Sequence, residues 1–273
     1  MNRLKMPIVT EKTILAMEDM SYFVHALIFD DLLVVAQKET NCFVLKTEEG
    51  LIIIDAIWPS AKAYEAIFDA IRDVGWNTGE IKLLLLTHGH VDHTGCGKWF
   101  VENHHVKTYL SQTDAIFWWE HPVKPDRPET WKDFDIDVYL RDGDTVTLGS
   151  KTIYAYLTPG HTPGCMSYVF SVVEDGITHM AAILGGATPP WTREGTEQYL
   201  ESLDYFRKKA AEKEVDVALC NHTAIDCGLE RIEYSKNRLA YMPNIYILGQ
   251  DGFQKFCQVF QDMGMEMLKR LDV

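Results

Sequence analysis

Residues 81–93 read Ile81-Lys82-Leu83-Leu84-Leu85-Leu86-Thr87-His88-Gly89-His90-Val91-Asp92-His93. The apolar run Ile81 to Leu86 reads as a buried strand, and three histidines and an aspartate follow at its C-terminal end. Imidazole and carboxylate together suit zinc, iron or manganese. In an extended or looping segment alternate residues point the same way, so His88 and His90 grip one ion. Asp92 and His93 lie one step further round and reach a second. The spacing therefore suits a two-metal centre. A polar surface turn with fortuitous histidines is the plain alternative. The apolar strand in front speaks against it, because catalytic loops sit after such strands.

Working outward, Leu32 to Ala36, Cys42 to Lys46 and Leu51 to Asp55 read as strands before the motif. Ala61 to Val74 carries Ala61, Ile67, Ile71 and Val74 at helical spacing and stops near Gly75. After the motif, Cys96 to Asn103 reads as a short helix and Thr108 to Leu110 as a strand. Val138 to Leu140, Thr145 to Leu148, Thr152 to Leu157, Met166 to Val173 and Met180 to Leu184 continue the strand pattern. Helical patterns return at Glu197 to Lys213 and, after a strand at Val215 to Cys220, at Leu229 to Leu239 and Gln254 to Leu271. The strands come in two blocks, each followed by helices. That predicts an α/β (α+β) class, with two sheets packed face to face and helices outside. A single domain over 1–273 is expected, with a C-terminal helical extension at about 229–273.

Composition adds exclusions. The net charge is −14, and such an acidic surface repels nucleic acid and anionic membranes, so neither is an expected partner. An anionic small molecule is still compatible, because a metal site makes its own local field. The first twenty residues lack a basic stretch followed by a long apolar one, so no signal peptide is expected. The apolar runs are far shorter than a membrane span. Six cysteines are scattered without a CxxC pair, which suits free thiols in the cytoplasm.

Two further histidines stand out. His161 lies in the turn-rich loop Thr158-Pro159-Gly160-His161-Thr162-Pro163-Gly164, and His222 follows the strand Val215 to Cys220. A lone histidine in such a place is more often structural than a ligand. Taken with T-H-x-H-x-D-H at Thr87 to His93, and with Asp55 closing an early strand, however, the sequence resembles the metallo-β-lactamase superfamily over about residues 30 to 235. The resemblance implies a four-layer αβ/βα sandwich with metals at one edge, between the sheets. It implies His88, His90 and His161 on one metal and Asp92, His93 and His222 on the other. Two zinc ions are implied, with iron or manganese as substitutes. Most hydrolases of this family also place a bridging aspartate after a late strand. The corresponding stretch here, Ala182 to Ala187, holds no carboxylate, and Gly185 or Gly186 takes the place. Five histidines and one aspartate without the bridge resemble the third subclass of true metallo-β-lactamases. They resemble less the glyoxalase II, ribonuclease Z and acyl-homoserine lactonase branches.

The implied activity is zinc-dependent hydrolysis. A metal-bridging hydroxide would attack the carbonyl of an amide, lactam, lactone or ester in a small-molecule substrate. Asp92 would be both ligand and catalytic group, orienting the hydroxide and passing a proton. A true β-lactamase is the near alternative, with the missing signal peptide against it. An iron-dependent redox enzyme on the same fold is another, and His90 stands where the flavodiiron branch has glutamate. Several residues are candidates for the pocket wall. The Trp-rich stretch Ala115 to Phe134 reads either as a flap over the metals or as core packing. Trp191 is placed on the rim, with Arg193 to meet a substrate carboxylate, and Tyr22-Phe23-Val24-His25 is a further wall. Cys96 and Cys220 read as packing residues. Nothing in the chain names the substrate or the oligomeric state.

Overall fold

Side chains alternate across a strand, so a strand that is apolar at every position must be covered on both faces. The computed structural model, which describes residues 19–120 and 134–272, meets that demand with four layers. Strands β1 (Val24–Phe29), β2 (Leu32–Ala36), β3 (Asn41–Thr47), β4 (Gly50–Ile54), β5 (Ile81–Leu85), β6 (Lys107–Ser111) and β7 (Val138–Leu140) form one sheet in sequence order. β1 to β4 pair antiparallel, and β4 to β7 pair parallel. Parallel neighbours need a crossover. Helix α1 (Ala61–Asp73) supplies the first, the short α2 (Val91–Thr94) with α3 (Gly97–His104) the second, and α4 (Gln112–Glu120) lies in the third.

The second sheet has the order β12-β11-β10-β9-β8. It comprises β8 (Thr145–Leu148), β9 (Lys151–Leu157), β10 (Met166–Glu174), β11 (Ile177–Ile183) and β12 (Val217–Leu219). Its parallel pair, β11 with β12, is joined through α5 (Arg193–Glu212). The short α6 (Thr223–Asp226), α7 (Gly228–Asn237) and the long α8 (Gly249–Leu271) end the chain.

Three apolar clusters separate the four layers. Ile52 and Ile54 of β4 face the inter-sheet core, whereas Leu51 and Ile53 face Ile67 and Ile71 of α1. Ala181 and Ile183 of β11 join that same inter-sheet core. Ala182 faces Phe206 of α5 and Phe260 of α8, so the last helix packs into the outer layer beside α5. Polar bonds also cross between the sheets: Tyr168 Oη donates to the Leu86 carbonyl (2.6 Å) and Met166 N to the Thr87 carbonyl (2.8 Å).

The two expected blocks of strands are therefore the two sheets, with helices outside. Three boundaries differ in ways that matter. Of Tyr22-Phe23-Val24-His25, expected as a pocket wall, the last two open edge strand β1. There Val24 enters the inter-sheet core, Phe23 packs in the outer cluster and His25 lies 3.5 Å from Asp73. Helix α5 starts at Arg193, capped by the Thr192 hydroxyl, and α8 starts at Gly249, each several residues earlier than periodicity suggests. No described helix is long and apolar enough to cross a membrane.

The sheet geometry decides where a site forms. The chain leaves β2, β4, β5, β9, β11 and β12 at the same edge of the sandwich, as their alternating and parallel pairings require. The loops after these strands carry Glu39, Asp55, the histidine run, His161, Thr188 and His222.

Candidate metal centre

Two groups of side chains meet at that edge. His88, His90 and His161 form one, and Asp92, His93 and His222 the other. Within each group one ligand-type atom per residue lies within 4.8 Å of the others. The groups adjoin, with the His88 and His93 rings 4.1 Å apart. All six sequence candidates are thus brought together.

The hydrogen-bond partners fix which nitrogen each ring presents. His93 Nδ1 donates to Asp55 Oδ2 (2.9 Å), His161 Nδ1 to the Thr188 carbonyl (2.7 Å) and His222 Nδ1 to the Glu39 carbonyl (3.2 Å). Thr87 Oγ1 donates its single proton to Asp55, and so accepts from His88 Nδ1 (3.0 Å). Every one of these rings therefore turns Nε2 toward the centre. His90 does the reverse, holding Nδ1 3.1 Å from His161 Nε2.

This arrangement fits a pair of cations. His88 Nε2 is buried without a hydrogen-bond partner, which is costly for a polar atom. In the first group His88 and His161 both turn an Nε2 lone pair inward, and such lone pairs are drawn to a common point by a cation placed between them. Burial, aided by the neighbouring imidazoles, holds His88 well below the usual histidine range. Burial also pulls His161 and His222 down to about 4, so these rings are in the neutral, ligating form at pH 7. In the second group burial opposes the charge on His93, but the Asp92 and Asp55 carboxylates outweigh it and hold His93 up at about 10. Its Nε2 lies 3.1 Å from His222 Nε2 and 3.4 Å from Asp92 Oδ2. A proton there occupies the place a metal ion competes for. Burial likewise opposes ionisation of Asp92, yet His93 keeps that carboxyl well below the ordinary carboxylate range.

Asp55 is fully buried in a left-handed turn (φ 62°). It serves as the acceptor for His93 and, through Thr87, for His88. Asn221 was not singled out by sequence. Its Nδ2 reaches Asp55 Oδ2 (3.2 Å), Thr87 Oγ1 (3.3 Å) and the Gly185 carbonyl (3.0 Å), tying the two sheets together beneath the centre. Asp114 was also missed, because a single acidic residue in the first turn of a helix reads as ordinary dipole pairing.

The glycine pair has its own reason. A Cβ at Gly186 would lie 2.3 Å from His161 Cβ, and one at Gly185 2.0 Å from the Met166 carbonyl oxygen. Neither position has room for any side chain, so their glycines are required by packing as well as lacking a carboxylate.

The expected wall residues divide. Trp118 and Phe134 pack into the outer core with ring centroids 4.8 Å apart, whereas Phe117 sets its ring edge-on to His90 at 5.7 Å. The Trp-rich stretch thus serves both packing and the site; Trp131 lies outside the described residues. Trp191 is 55% exposed. Arg193 stands exposed at the start of α5 and pairs with Glu197 (3.2 Å) and Asp272, carboxylates of this chain. Cys96 is buried with Sγ donating to the Trp58 carbonyl, and burial pushes its thiol up to about 12, as befits a packing residue.

Residues 36–213 match the family model of the metallo-beta-lactamase superfamily. The uncharacterized protein YobT of Bacillus subtilis is 30% identical over 135 residues, 47% of this chain and 56% of that protein. The probable polyketide biosynthesis zinc-dependent hydrolase BaeB of Bacillus velezensis is 26% identical over 132 residues, 48% of this chain and 50% of BaeB. The chain thus spans about half the length of the curated relatives it matches. In fold it is similar to BJP-1, a subclass B3 metallo-beta-lactamase of Bradyrhizobium japonicum. The TM-score is 0.75 at 23% identity, over 91% of this chain and 94% of that one.

Proposed function

Because the chain belongs to the metallo-β-lactamase superfamily, we propose that it is a zinc-dependent hydrolase of an amide, lactam, lactone or ester. One observation carries this reading: two adjoining groups, one of three imidazoles and one of two imidazoles with a carboxylate, each bring their ligand-type atoms within 4.8 Å of one another, with His88 Nε2 buried there without a hydrogen-bond partner. His88, His90 and His161 would hold one zinc ion, and Asp92, His93 and His222 the other. Such a centre supplies Lewis acidity and brings the pKa of water from 15.7 to about 7, giving a nucleophile at neutral pH.

The chain's own groups then orient and protonate. Asp55, Thr87, Thr188 and Glu39 lock the ring tautomers, so no reorganisation is needed during reaction. Asp92, the one carboxylate of the two groups, would orient the attacking water and pass on its proton. Phe117 closes one side of the pocket and excludes bulk water near His90. Asp92 is the single anionic group among six ligands, and the surplus positive charge favours an anionic substrate. The buried thiols suit a reducing compartment, and we place the enzyme in the cytoplasm.

The five-histidine, one-aspartate donor set favours β-lactam hydrolysis as a second reading. A screen of the zinc-loaded protein across β-lactams, lactones, thioesters and esters separates the two. Nitrocefin turnover with kcat/KM below about 10² M⁻¹s⁻¹, far under ordinary enzyme values, removes the second reading. Iron as the native metal, with oxygen consumption and no hydrolysis, overturns the first.

A further inference from the structure

Asp114 lies in the first turn of α4, fully buried, and no Lys, Arg or His pairs with it among the described residues. Its carboxylate is fully engaged nonetheless. Oδ2 accepts from Gly89 N (2.6 Å) and Thr162 Oγ1 (2.9 Å), and Oδ1 accepts from Gly164 N (2.8 Å). Gly89 stands between His88 and His90, and Thr162 follows His161. One buried carboxylate therefore fastens together the two loops that carry the three-histidine group.

The packing around it leaves no slack. Ser111 Oγ accepts from Asp114 N (3.1 Å) and donates to the Gly164 carbonyl (2.5 Å). A Cβ on Gly164 would lie 2.4 Å from Asp114 N, and one on Gly89 2.7 Å from Trp118 Cβ. Both loops can approach α4 this closely because they present glycine. The Asp92–His93–His222 group takes its orientation elsewhere, from Asp55 and from the Glu39 carbonyl.

The charge matters as much as the geometry. The three-histidine group contains no carboxylate of its own. Asp114 puts a negative charge one backbone amide away from it, in surroundings where little solvent screens the field. Cation and carboxylate each offset the other's burial.

We infer that Asp114 is the positioning residue of the His88–His90–His161 group, setting its geometry and supplying its counter-charge, and does not serve the second group. This rests on the two-metal reading of the site. The metal-free full chain is titrated with cobalt(II) against a competing chelator, followed by visible ligand-field absorption. His90→Ala supplies the spectrum of a chain lacking the first group. Wild type is expected to take two ions. In Asp114→Asn the affinity of one site is expected to fall about 10- to 100-fold, the range for losing a group that orients a ligand. At limiting cobalt its spectrum is expected to reproduce that of His90→Ala. Thr162→Val removes one of the three bonds and keeps the carboxylate, so it is expected to weaken the same site by a smaller factor. It also provides the test if Asp114→Asn does not fold. Equal weakening of both sites, weakening of the other site alone, or unchanged affinities in the folded variants overturn the role of Asp114. A wild type that takes up no cobalt overturns the two-metal reading and this inference with it.

Discussion

Four of the five rings of this centre are held by a named acceptor, and the acceptors differ in kind. His161 and His222 lean on carbonyls, His93 on a carboxylate and His88 on a hydroxyl that relays to that same carboxylate. The relay makes Thr87 a sharp target. Thr87→Val preserves shape but leaves His88 Nδ1 and Asp55 short of a partner. Metal affinity is expected to drop about 10- to 100-fold, with a stability loss of about 1–3 kcal/mol from the unmet buried groups. Chelator competition and denaturant unfolding measure the two. The shifted histidines give a second expectation, for the metal-free protein. His161 and His222 fall to about 4 on folding, so the unfolded chain binds more protons between pH 4 and 6.5 and their contribution to stability rises with pH there. His93 is raised to about 10, so its contribution is full below pH 6.5 and is lost as pH climbs toward 10. Thermal melts of chelated protein are expected to peak near neutrality. A melting temperature still rising from pH 7 to 10 contradicts this assignment.

Among the elements, α4 shows how one helix carries two duties by its periodicity. Trp118 and Ala115 face the outer core, Asp114 reaches under the ligand loops and Phe117 meets His90. Phe117→Ala removes a wall without touching a ligand or the core. It is expected to raise KM several-fold, on the scale of about 1–3 kcal/mol for a lost apolar contact, with metal stoichiometry unchanged. Steady-state kinetics beside metal analysis checks this, and loss of metal in the variant contradicts a wall role. The legibility of elements followed the strength of their pattern. Helix α1 was plain because Ile67 and Ile71 recur at helical spacing above a polar face. Strand β1 was missed because an edge strand exposes part of itself, and Leu27, apolar yet 40% exposed at an outward position, hides the alternation in the sequence. The start of α5 was hidden because Arg193 and Glu194 are both exposed, so only the Thr192 cap marks it.

At the scale of the whole molecule, the centre spans the seam between two sheets. His88, His90, Asp92 and His93 follow β5 in one, while His161 and His222 follow β9 and β12 in the other. Metal bound there would cross-link the layers, and its removal is expected to lower stability as well as activity. With free zinc at 1,000 times its dissociation constant, each ion contributes about 4 kcal/mol. Chelation is expected to abolish hydrolysis and lower the melting temperature, and zinc to restore both. A melting temperature indifferent to chelation speaks against a centre that joins the sheets. The sequence alone determined the strand-then-histidine motif and the two blocks of strands, because these are written in local spacing and side-chain type, whereas His161 and His222 joined the two groups only through the resemblance to a family. Tertiary structure alone decided that Asp114 and Asn221 buttress the site, that Arg193 pairs with Glu197 and Asp272, and that Gly185 and Gly186 leave no room for a side chain. Those facts depend on which distant segments touch. A hydrogen bond between residues 25 or 166 positions apart, as from Gly89 to Asp114 or from Asn221 to Asp55, leaves no periodic trace in the chain that makes it.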